Sequence, residues 1–184
     1  AMLDGMLPVM YLGRDKQNRP IMYRKFGSGL DAPKLIKETG FDYDKYCDYN
    51  IWILEMMVKN MSGQGQWVSI TDFGDLAFKH ITKMHLSWAK VLASLMTDHY
   101  PERLGKSMMI NCPTIFNMAW AIAKTWLDDR IKAKIGLYGA EKTWRPEIEK
   151  IMDLDLLPAS LGGKAELRME PHSLDFLAQS QAAS

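Results

Sequence analysis

A chain of 184 residues, 47% of them hydrophobic, is long enough to close a core and an internal cavity within a single domain spanning residues 1–184. Its 23 Lys and Arg balance 22 Asp and Glu, and with no basic run present that near-neutral charge excludes nucleic acid as a partner. The two cysteines, Cys47 and Cys112, fall in a predicted helix and a predicted strand without metal-ligand spacing. They read as small buried hydrophobes of a reduced, cytoplasmic protein.

Residues 1–7 lack a basic n-region and a long apolar core, so they do not read as a signal peptide. Residues 9–12 and 21–26 read as extended segments around a turn at Lys16, Gln17 and Asn18. Asp31 predicts the N-cap of a short helix over 31–37, closed by Gly40. Asp42 or Asp44 opens a longer helix in which Cys47, Ile51, Leu54, Val58 and Met61 recur at spacings of four and three, until Gly63, Gln64 and Gly65 stop it. Residues 67–71 then form a short apolar strand ending at Asp72, and Ile81, Met84, Trp88, Val91 and Leu95 mark a second amphipathic helix.

The stretch over 100–138 reads as strand, helix, strand. A polar turn through Gly105 and Lys106 delivers the chain into a buried strand over 107–112. Pro113 and Thr114 start a helix over 115–127, and a charged turn at Asp128, Asp129 and Arg130 leads to a strand over 135–138. The helix holds only Asn117, Lys124 and Thr125 as polar residues, so one core-facing stripe cannot account for it. Ile115, Ala119, Ile122 and Trp126 can cover the sheet; Phe116, Trp120, Ala123 and Leu127 form a second stripe, covered either by another helix or by an apolar ligand. A last helix over 146–152 follows, and the tail over 178–184 is small and polar enough to fray. Helices alternating with apolar strands predict an α/β fold.

No Gly-x-Ser-x-Gly elbow is present, and His80, His85, His99 and His172 have no motif partner, so catalysis is not expected. His80 and His85, five apart, point away from one another on a helix. They read as surface or interface histidines, with no metal and no cofactor implied.

The run Tyr100, Pro101, Glu102, Arg103, Leu104, Gly105, Lys106 is followed by a strand ending Ile110, Asn111, Cys112, Pro113 and a helix ending Trp126, Leu127, Asp128, Asp129. With the turn at 15–21 and the Leu-Pro and Gly-Gly segment at 156–164, this ordered set resembles the CRAL-TRIO lipid-binding family over about residues 8–168. The resemblance implies a mostly parallel floor of five or six strands under a gate helix, 115–127, with an apolar pocket between. It begins after the small helical bundle that usually opens the family module.

The implied ligand is a phospholipid or other small hydrophobic molecule, phosphatidylinositol or a phosphoinositide above all, exchanged during transient, peripheral contact with a membrane surface. Family members that hold inositol lipids use a Glu and a Lys at the positions of Glu102 and Lys134, and Arg103 is the basic neighbour that the Glu would orient. Ile131 replaces a Thr of that pattern. Of two hydroxyl positions on the strand before Asp72, Ser69 keeps one and Trp67 fills the other. Phe116, Trp120, Ala123, Trp126 and Leu127 are expected to line the pocket or gate, with the aromatic residues and Leu127 at its opening. The 14 methionines, Met56, Met57, Met84, Met96, Met108, Met109 and Met118 among them, suit a compliant lining. A protein-interaction module with a vestigial pocket is the alternative on the same fold.

Overall fold

Strands β1 (Val9–Arg14) and β2 (Pro20–Lys25) form an antiparallel hairpin in the computed structural model, which describes residues 9–26, 37, 42–61, 65–100 and 102–165. The expected helix over 31–37 lies outside these residues save for Lys37, as do Gly63, Gln64 and the tail. Asp15 closes the hairpin turn. Its Oδ1 accepts from the backbone N–H of Gln17 at 3.0 Å and of Arg19 at 2.8 Å, and its Oδ2 meets the Arg19 guanidinium at 2.6 Å.

β3 (Trp67–Asp72), β4 (Leu104–Ile110) and β5 (Ile135–Leu137) add in parallel, giving the order β1-β2-β3-β4-β5. The sheet advances one strand at a time in one direction, so right-handed crossovers place their helices on one face. There α1 (Tyr43–Lys59) and α2 (Lys83–Asp98) pack through Tyr46, Ile53, Trp88 and Val91 against Met22, Trp67 and Leu104. The opposite face buries Tyr23, Val68, Ile70, Met108 and Ile110 under Trp144 and Ile148 of α5 (Glu141–Ile151). Between β4 and β5 run α3 (Phe116–Ala123), which continues as a 3-10 turn over Lys124–Trp126, and α4 (Asp129–Ala133).

Side-chain caps set the helix starts. Asp42 accepts from the Lys45 N–H at 3.0 Å, Thr82 from that of His85 at 3.3 Å and Asp128 from that of Ile131 at 2.7 Å.

Several expectations are corrected. The buried face of α1 is Tyr46, Tyr49, Asn50, Ile53, Leu54 and Met57, so the predicted stripe is rotated: Cys47 is half-buried and Ile51 exposed. Strand β4 starts at Leu104 and ends before Cys112. Gly105 lies within the strand, where a Cβ would come 2.9 Å from Arg19 Nη1 and 3.2 Å from the Trp67 carbonyl oxygen, so the position favours glycine. Helix α5 begins five residues before Pro146, since Trp144 and Ile148, four apart, carry its buried face past the proline. His80 and His85 are buried, not surface residues. His80 lies in a 3-10 turn ahead of α2, which brings the two rings to 6.3 Å between centroids.

A polar network joins the layers beneath the entry to α3. Asn111, just beyond β4, donates from Nδ2 to Asp72 Oδ1 at 2.9 Å and accepts from Trp144 Nε1 at 2.8 Å. The Tyr23 hydroxyl donates to Asp72 Oδ2 at 3.1 Å; burial first and the Asp72 carboxylate second push that phenol above its ordinary range. Asn111 has φ 53°, a left-handed conformation that Asn adopts more readily than most residues.

Candidate functional site

Between the sheet and the α1, α2 and α3 layer lies a cavity of about 230 Å³. Trp67, Ser69, Thr71, Ser107 and Met109 form its floor, Leu86, Ala89, Leu92, Ala93 and Met96 of α2 a wall, and α3 with its 3-10 extension the roof. Engineered apolar cavities of about 150 Å³ stay dry and take up benzene-sized molecules.

The roof explains why helix 115–127 has no polar face. Phe116, Ala119, Trp120, Ala123, Trp126 and Leu127 all line the cavity. Phe116 is buried, tilted against Phe73 at 4.5 Å between centroids and stacked with Trp120 at 6.4 Å. This corrects two expectations. Phe116 is not at an opening, and the sheet-covering stripe dissolves: Ala119 and Trp126 join the lining while Ile122 is 44% exposed. Met118, 59% exposed, shares that outer face.

Trp67 is fully buried, with its ring edge toward Tyr100 at 6.2 Å; Ser69 lies two residues on along the same floor. Of the methionines proposed for the lining, the Met84 side chain lies outside the described residues, and among the other six Met96 and Met109 reach the cavity. Met57 and Met108 are core, and Met22, not singled out from sequence, lines the cavity.

A second, narrow space opens beside the first. Met96, Leu104 and Ile131 line both, and its polar rim holds Glu102, Lys134, Arg130, Asp128 and Thr97. Lys134 Nζ donates to Glu102 Oε2 at 2.9 Å, and Arg130 lies 3.4 Å from Glu102 and 3.5 Å from Asp128. Glu102 has φ 61°, a strained conformation for a residue with a long side chain. The hydrogen bond from Lys134, then its charge, hold the Glu102 carboxyl below its usual range. Lys134 is itself fixed twice: its N–H caps α4 on the Ile131 carbonyl at 3.0 Å, and its carbonyl accepts from Ser107 at 2.9 Å.

Arg103 is not part of this cluster. Its guanidinium donates to the Gly65 carbonyl at 3.3 Å, and Arg130 is the basic neighbour of Glu102 instead. Arg130 was not legible as a site residue because it reaches Glu102 from 28 positions away through the start of α4. Thr71 could have been found by strand alternation from Ser69, and its register partner on β2 is Arg24. Burial pushes the Cys112 thiol up to about 11, so it is protonated at neutral pH. Among the described residues no group of three or more His, Cys, Asp and Glu is arranged to hold a metal ion, and no helix is long and apolar enough to cross a membrane.

Residues 5–163 match the CRAL/TRIO domain. The chain belongs to that family. Among curated relatives of this CRAL/TRIO domain, a phosphatidylinositol/phosphatidylcholine transfer protein, SFH7 of Arabidopsis thaliana, is 29% identical over 85% of the chain and 29% of its own length. The Sec14 cytosolic factor of Schizosaccharomyces pombe is 26% identical over 86% of the chain and 57% of its own length. Protein real-time of Anopheles gambiae is 23% identical over 91% of the chain and 25% of its own length. The CRAL/TRIO domain thus spans between a quarter and about three-fifths of these relatives. The crystal structure of Sfh5 has the same fold, with a TM-score of 0.69 at 15% identity, covering 96% of this chain and 66% of that one.

Proposed function

We propose that this domain binds a lipid in the cavity under α3 and exchanges it with a membrane, with phosphatidylinositol or a phosphoinositide as the leading ligand. The observation that carries the reading is the cavity of about 230 Å³ roofed by a helix whose inner residues are all apolar. An open space, not one filled by its own side chains, favours a carrier over an interaction module with a vestigial pocket. The name of SFH7, a phosphatidylinositol/phosphatidylcholine transfer protein, supports phospholipid as the ligand class.

Glu102 and Lys134 would meet the headgroup: Lys134 supplies charge and donors to a phosphate, and Glu102 accepts from ring hydroxyls. Each CH2 moved from water into the cavity gains roughly 0.8 kcal/mol, but a bilayer offers the same gain, so the domain acts by lowering the barrier to desorption. Movement of α3 at the membrane surface would open the cavity. No covalent chemistry is involved, and the domain would work in the cytoplasm with reversible membrane contact.

The test is transfer of labelled phosphatidylinositol between vesicles, with mass spectrometry of retained lipid, for the wild type and Lys134→Ala. Transfer lost in the variant supports the headgroup site; a folded wild type that retains no lipid sinks the carrier reading.

A further inference from the structure

Among the described residues lining the cavity, Arg24 is the one with a full charge; no Asp, Glu or Lys joins it. It stands on β2, in register with Thr71 of β3, while Ser69 pairs across to Ser107 of β4. All four side chains reach the same floor. Arg24 Nη2 donates to Asn50 Oδ1 at 3.2 Å, but its Nε is buried with no hydrogen-bond partner among the described residues. The hydroxyl-bearing side chains of Ser69, Thr71 and Ser107 line the cavity beside it.

A guanidinium donor left over in an apolar cavity is unfavourable unless an acceptor, a water or a ligand oxygen, enters. A guanidinium edge suits a planar anion with two oxygens. The locus is distinct from Glu102 and Lys134: Arg24 pairs with Thr71 near the C-terminal ends of the parallel strands, whereas Glu102 and Lys134 precede the N-terminal ends of β4 and β5. A single cation matches a single negative charge.

We propose that the cavity binds a single-chain amphiphile with a carboxylate, a long-chain fatty acid, whose carboxylate lies at Arg24 beside the Thr71 hydroxyl and whose chain runs under α3. This inference rests on the cavity being a lipid site and adds a second ligand class to it. The fatty acid shares the apolar space with any phospholipid chain, so the two compete.

The test is to measure affinities of delipidated protein for oleate and for oleyl alcohol by probe displacement at pH 8.5. Wild type is expected to prefer oleate at least tenfold. That ratio should fall to about one in Arg24→Gln and drop severalfold in Thr71→Val. Lowering the pH through the titration of the carboxylate, with Arg24 still charged, should erase the preference in the wild type alone, which needs no variant to fold. Equal affinities in the wild type, or a preference that survives in Arg24→Gln, would overturn the proposal. Phosphatidylinositol transfer is read on the same wild-type sample. Transfer without oleate preference leaves the carrier standing and discards the carboxylate site; oleate preference without transfer does the reverse.

Discussion

Lys134 Nζ and Glu102 Oε2 lie 2.9 Å apart, so the two residues satisfy one another before any headgroup arrives. Both are solvent-accessible, and an exposed pair of this kind contributes little to stability. A phosphate can therefore recruit Lys134 at small cost. Lys134→Ala should lower the ratio of phosphatidylinositol to neutral-lipid transfer about tenfold, the loss of one charge-assisted hydrogen bond of ~1.5 kcal/mol. The urea midpoint should scarcely move.

The same pair makes a pH prediction. The Glu102 carboxyl is held below its ordinary value by Lys134, so the pair is intact above that ordinary value and is lost as pH falls through the lowered one. A 13C NMR titration of the Glu102 carboxyl should show this, and Lys134→Ala should raise the titration back toward the ordinary range. An unchanged titration would mean the pair does not form in solution.

Filling the cavity separates ligand binding from folding. Ala89 lines the wall on α2, and Ala89→Phe would occupy space that is now open. Retained lipid should fall at least tenfold. Thermal stability should hold within the ~1–3 kcal/mol that a tight fit costs.

Met118 and Ile122 face outward from α3, while Phe116 is buried beneath it. Charged replacements at Met118 and Ile122 should weaken vesicle binding severalfold and leave stability within about 0.5 kcal/mol. Phe116→Asp should instead cost several kcal/mol by burying an unpaired charge against Phe73. Co-sedimentation and urea denaturation distinguish the two.

Asn111 links Asp72 to Trp144, so Asn111→Ala leaves an indole N–H and a carboxylate oxygen each short of a partner. A loss of ~2–4 kcal/mol is expected. Asn111→Gly, which relieves the left-handed backbone, should lose ~1 kcal/mol less. Urea denaturation of both variants checks the difference.

The strands and their order along the chain were legible because short apolar runs bounded by turns carry a local signal. So was the exceptional character of helix 115–127. Which of its residues faced inward was not: a helix over a cavity answers to its walls as well as to the sheet, so Ala119 and Trp126 turned inward and Ile122 outward. The rotated stripe on α1 has a similar origin, since Tyr46 and Tyr49 bury their rings and hide from a pattern built on aliphatic residues. Glu102 and Lys134 were reached through motif order. Their contact with each other, and the replacement of Arg103 by Arg130, depend on the angle at which α4 leaves the gate, which no residue spacing encodes.

Strand β3 alternates between two duties. Val68, Ile70 and Asp72 lock the fold to α5 and to Asn111, while Trp67, Ser69 and Thr71 look into the cavity. Substitution along one parity of the strand can retune what the domain carries without disturbing the other. A library randomised at residues 69 and 71 should thus remain mostly folded while its cargo diverges, whereas one randomised a single position out of step, at 70 and 72, should yield few soluble members.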